Sequence, residues 1–123
     1  INEGKISKEK LDQIIDRTKK GGAEIVKFLE KGSAFYAPAA SGVEMAECYL
    51  KDLKKQLPCA VYLDGEYGTK DIYAGVPVII GSKGVEKVIE LDLSAEEKDN
   101  FDNSIKAVKE LFDAAKKIDP ELK

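Results

Sequence analysis

LPCAVYLDGEYGTKDIYAGVPVIIGSKGVEKVIELDL, residues 57–93, decides the fold. From Leu57 to Leu91, runs of Val, Ile, Leu and Tyr are broken by two groups of turn formers, Asp64-Gly65 and Ser82-Lys83-Gly84. β-branched and aromatic runs punctuated in this way predict three strands in an antiparallel meander. Pro77 cannot donate to a ladder, so an edge or a bulge is expected at that point.

Helical signals flank the meander. After it, Ser94 with Glu97 is a capping box, and Phe101, Ile105, Val108, Phe112 and Ala115 recur at spacings of four and three. A long C-terminal helix follows, closed by Asp119-Pro120, with the tail ELK frayed. Its exposed pairs, Asp102 with Lys106 and Asp113 with Lys117, are solvated helix decoration. Before the meander, Ser7 is a good N-cap for a helix carrying Leu11, Ile14 and Ile15. Gly21-Gly22 interrupts the pattern until Ile25, Val26 and Leu29 resume it, which predicts a long kinked helix, or two helices, ending at Gly32.

A further helix is expected to begin between Phe35 and Pro38, where proline has no hydrogen bond to lose, and to end near Lys54. Ala39, Val43, Ala46, Leu50 and Leu53 form one apolar stripe and Met45, Cys48 and Tyr49 a second, so burial on more than one side is expected. The segment leading into it, SAFYAPAAS at residues 33–41, carries no charge at all. The fold class is therefore α+β: a kinked helix, a second helix, a three-stranded antiparallel meander and a C-terminal helix, expected as a single domain over residues 1–123.

The composition of the 123 residues, 43% hydrophobic and 35% charged, is that of a globular chain. Twenty Lys plus Arg face twenty-three Asp plus Glu, and the basic residues are scattered in pairs, so a nucleic-acid groove is not expected. The longest apolar runs, such as Val76 to Ile80, fall far short of the roughly 20 residues needed to cross a bilayer. No membrane span is expected, and no signal peptide. Cys48 and Cys59 do not form a C-x-x-C pair and the chain has no histidine, so buried reduced thiols are expected, with a disulfide as the alternative and no metal site.

Chemistry-bearing motifs are scarce. Without histidine, proton transfer near neutral pH would fall to carboxylates, Lys, Tyr or Cys. The chain has neither G-x-G-x-x-G after a strand nor G-x-x-x-x-G-K-[ST]. GSKG at 81–84 reads as a hairpin turn, and Asp64, Glu66 and Asp71 as turn residues rather than a metal site. Ser33 and Ser41 have no evident base beside them. The opening INEGKISKEK, which starts on Ile1, reads as a continuation, and a piece of a longer chain is expected.

The segments KISKEKLDQIIDRTKKGGAEIV, GSAFYAPAASGVEMAECYLKD, residues 57–93 and AEEKDNFDNSIKAVKELF together resemble the C-terminal half of the lactate and malate dehydrogenase family, on its bacterial malate branch. GGAEIV, GSAFYAPAAS and YGTKDIYAGVPVIIG carry the likeness most specifically. The resemblance implies a cytoplasmic parent enzyme interconverting malate and oxaloacetate with NAD, whose Rossmann domain, phosphate loop, catalytic histidine and substrate arginines precede Ile1. The lone Arg17 does not match the family's arginine motifs.

Residue by residue, the likeness places Ser33 and Ala34 at the substrate pocket and Pro38 beside the nicotinamide ring. No catalytic residue is assigned. It further implies a homo-oligomer, dimer or tetramer, formed through residues 7–53. A lactate dehydrogenase piece and a free-standing dimerisation or interaction module are the alternatives.

Overall fold

Ser7 stands in extended backbone and accepts the Lys10 N–H on its hydroxyl at 3.2 Å, which caps α1, Lys8–Lys19. The computed structural model describes residues 5–119 and 121–122. Residues 1–4, 120 and 123, on which the expected continuation before Ile1 and part of the ELK tail rest, lie outside the described residues. Two units are distinguished, one running to Glu44 and the other starting at Met45.

In the first unit, α1 gives way to α2, Gly21–Leu29, across the single residue Lys20. Lys20 closes the one and opens the other: it donates its N–H to Asp16 at 3.2 Å, and its carbonyl accepts the Glu24 N–H at 3.0 Å. Gly21-Gly22 thus opens a second helix, α2, one of the two outcomes expected. It stops at Leu29, before Gly32, because Glu30 turns left-handed (φ 62°) and returns its N–H to Val26.

Helix α3, Tyr36–Leu50, starts within the expected window. It ends at Leu50 rather than near Lys54. Asp52 takes the left-handed position at φ 48°, and two bonds close the end: Leu53 N–H to the Cys48 carbonyl at 3.0 Å and Asp52 N–H to that of Tyr49 at 3.4 Å. This is a Schellman closure with aspartate where glycine is usual. Of the two apolar stripes on α3 only Cys48 is buried, while Val43, Met45, Tyr49 and Leu50 remain exposed. Among the described residues, none supplies the burial expected for the rest of this surface.

The meander of the second unit is β1, Lys55–Asp64, β2, Lys70–Gly81, and β3, Gly84–Val88, antiparallel in the order β1-β2-β3. Registers such as Leu57 with Val78 and Leu63 with Ile72 set alternate side chains on one face. That face holds the core: Leu57, Leu63, Ile72, Ala74, Val76, Val78 and Ile80, closed by Cys48 and Ile105. Neither cysteine is in a disulfide; Cys48 is buried and Cys59 half-buried.

Pro77 corrects an expectation, since it lies in the central strand opposite Pro58. Its carbonyl accepts the Ile89 N–H at 2.8 Å, toward β3. A strand residue points its N–H and C=O to the same side, so the two prolines meet at a non-hydrogen-bonded pair and the β1–β2 ladder loses nothing. A register shift follows at Ile79/Ile80.

Helix α4, Ala95–Ile118, opens on the expected capping box, with Glu97 N–H to Ser94 Oγ at 3.3 Å and Ser94 N–H to Glu97 Oε2 at 2.9 Å. Asp119 caps its end. The ion pairs on its surface join Lys98 with Asp102 at 3.3 Å and Lys106 with Glu110 at 3.9 Å, so Asp102 and Lys106 take other partners than each other.

Candidate functional site

The segment from Gly32 to Pro38 is shaped by short-range hydrogen bonding. Gly32 has φ 85°, and a Cβ there would stand 2.5 Å from the Phe35 ring, so a side chain is opposed both by backbone conformation and by space. Ser33 Oγ accepts the Phe35 N–H at 3.2 Å, a turn that hands the chain to α3. The carbonyls of Ala34 and Phe35 then accept from Ala37 (3.4 Å) and Ala39 (3.0 Å). Pro38 sits in the first turn of the helix, where its missing N–H has no acceptor to lose.

Ser33, Ala34 and Pro38 thus follow one another along one loop and helix start. Ala34 is half-buried, and Ser33 and Pro38 are exposed. None of the three titrates. Such a segment can limit volume and exclude water; it cannot move a proton. Pro38 presents an exposed apolar ring, and nothing in the segment resembles a phosphate cradle.

The carboxylates near the β1–β2 turn are used locally. The Asp64 N–H donates to Glu66 Oε2 at 2.7 Å, Tyr62 Oη donates to Asp71 Oδ1 at 2.7 Å, and Lys70 lies 3.6 Å from Asp64. Backbone N–H groups of Glu66 itself and of Asp64 hold the Glu66 carboxyl below its ordinary range, and the bond to Asp71 pushes the Tyr62 phenol up. Among the described residues no group of three His, Cys, Asp or Glu could hold a metal ion. GSKG forms the β2–β3 turn, with Gly81 paired to Gly84. Among the described residues no helix is long and apolar enough to cross a membrane.

Two arrangements escaped the sequence. Tyr67, left-handed at φ 54°, donates its hydroxyl to the Ile89 carbonyl at 2.7 Å, accepts the Leu91 N–H at 3.0 Å, and packs 5.0 Å from the Phe101 ring. It ties the turn after β1 to the linker before α4. Arg17 grips Glu24 with two bonds, Nε to Oε2 at 3.1 Å and Nη2 to Oε1 at 2.9 Å. Their separation of seven residues, two helical turns, is the only trace that such a pair leaves in the sequence.

Residues 1–118 match the family described as lactate/malate dehydrogenase, alpha/beta C-terminal domain. The chain is 67% identical to the malate dehydrogenase of Pelagibacter ubique (strain HTCC1062) over 122 residues, 99% of this chain and 38% of that protein. The lactate dehydrogenase of Eimeria maxima, solved with NADH and oxamate, superposes with a TM-score of 0.91 at 46% identity over 98% of this chain and 38% of that one. The malate dehydrogenase of Salinibacter ruber gives 0.90 at 45% identity, covering 97% of this chain and 39% of its own. The chain thus spans well under half the length of the proteins that it matches.

Proposed function

Because the chain belongs to the lactate/malate dehydrogenase family, we propose that it is the C-terminal, substrate-binding and subunit-contact portion of a cytoplasmic, NAD-dependent enzyme that interconverts malate and oxaloacetate. The observation that carries this reading is the 67% identity, over 99% of the chain, to a malate dehydrogenase. NAD, when bound to the parent enzyme, supplies the hydride acceptor or donor. The residues of this chain do the shaping. Ser33 and Ala34 line the substrate side, where the methyl side chain of Ala34 leaves room for a dicarboxylate. Pro38 packs beside the nicotinamide ring and keeps water from the reacting carbon.

The groups that move the proton and clamp the substrate are supplied by the parent's other portion. The apolar surface of α3, with Val43 and Leu50 exposed, supports a subunit contact within residues 7–53. Alone, the 123-residue chain is expected to oxidise no NADH with oxaloacetate; a robust NADH-dependent rate from the pure chain would overturn the reading.

A second reading, a lactate dehydrogenase portion, draws on the fit to the Eimeria maxima enzyme at a TM-score of 0.91. Oxaloacetate and pyruvate, offered in turn to the parent, separate the two readings.

A further inference from the structure

We propose that Arg17 and Glu24 form a latch that sets the bend between α1 and α2 and, through the short segment after α2, the position of Ala34. The second half of this inference rests on the reading of residues 33–38 as a pocket wall.

Three observations lead to it. The pair spans the junction of the two helices at Lys20, where φ is −95° and ψ 0°, with two bonds of 2.9 and 3.1 Å. A planar guanidinium holds both carboxylate oxygens at once, which an ammonium does not, and this is the single arginine in a chain rich in lysine. Next, Gly21 and Gly22 have nothing within 4 Å of where a Cβ would stand, so side chains would be accommodated there. Glycine at an uncrowded helical position leaves the bend soft. Finally, an open groove of about 490 Å³ lies against the kink, lined by Ile14, Ile25 and Phe28 beside the pair. Phe28 is 77% and Ile14 46% exposed. Packing therefore leaves the bend loosely held, and the ion pair is the strut across it. α2 ends at Leu29 with Glu30 as its cap, and only Lys31, Gly32 and Ser33 separate that cap from Ala34, so a change of tilt in α2 is carried along a short segment into the wall.

Arg17 and Glu24 are in this sense positioning residues, tested by amide hydrogen exchange on the full chain. Arg17→Met and Glu24→Gln are each expected to speed exchange about twofold to fivefold, the upper range of an exposed ion pair, across both 20–29 and 30–35. The exchanged pair, Arg17→Glu with Glu24→Arg, restores protection. In a Gly21→Ala/Gly22→Ala background the loss of Glu24 becomes silent. Amides of β1 and β2, unchanged throughout, report an intact fold. Unchanged exchange at 20–29, a change that fails to reach 30–35, or no restoration by the exchanged pair overturns the latch.

In the parent enzyme Glu24→Gln is expected to raise KM for oxaloacetate about threefold or more with kcat within about twofold; a loss confined to kcat overturns the link to the wall. A wild-type parent inactive toward both oxo acids would defeat the proposed function, while the exchange experiment would still decide the latch.

Discussion

Gly32 and Ala34, two residues apart, constrain the chain in different ways. At Gly32 the constraint is local: φ 85° and the Phe35 ring at 2.5 Å from a Cβ position both oppose a side chain. Gly32→Ala is expected to destabilise the chain by about 1–2 kcal/mol, read by urea unfolding, and an unchanged midpoint would refute this. At Ala34 the argument is volume. Ala34→Thr in the parent enzyme is expected to lower kcat/KM for oxaloacetate about tenfold, the scale on which one or two heavy atoms in a pocket act. Retention of full activity would remove Ala34 from the wall. Gly32 was expected from the sequence as a helix-ending glycine, whereas Ala34 was singled out only by the family likeness of GSAFYAPAAS. Tyr67 was not, since its clasp needs a left-handed backbone at a non-glycine residue and partners at Ile89 and Leu91, a pairing that no periodicity encodes.

Among the elements, the strands and α4 could be read in advance because their signals are local: period two from Leu57 to Ile80, and a capping box followed by a four-three repeat. The end of α3 could not, because it depends on an aspartate taking a position that glycine normally marks. Pro77 was legible as an exception but not as a central-strand residue, since that depends on which side of the ladder its nitrogen faces.

The cap of α4 also makes a pH prediction. Ser94, by its hydroxyl and then its backbone N–H, holds the Glu97 carboxyl below its ordinary range. Asp52 is held low in the same way, first by the Ser82 N–H. A carboxyl whose folded pKa lies below its unfolded one binds fewer protons when folded. Its stabilisation is complete above the ordinary carboxylate range, about pH 4, and is lost as pH falls through the depressed value. Tm is therefore expected to fall on acidification below about pH 4, and less steeply in Ser94→Ala, which itself costs about 1 kcal/mol at neutral pH. Parallel acid profiles for wild type and variant would contradict this.

For the whole molecule, the central fact is proportion: a chain that matches 38% of a malate dehydrogenase and leaves the apolar side of α3 uncovered. Uncharged faces of that kind self-associate or seek partners. Light scattering of the chain is expected to show a mass that rises with concentration, and Val43→Lys with Leu50→Lys to suppress the rise; a monomer at all concentrations would argue against a contact surface there. The account stands most directly on one assay, NADH oxidation by the full-length parent. Oxaloacetate is expected to be preferred over pyruvate by about tenfold or more in kcat/KM, whereas faster turnover of pyruvate, or no NADH-dependent rate with either, would contradict it.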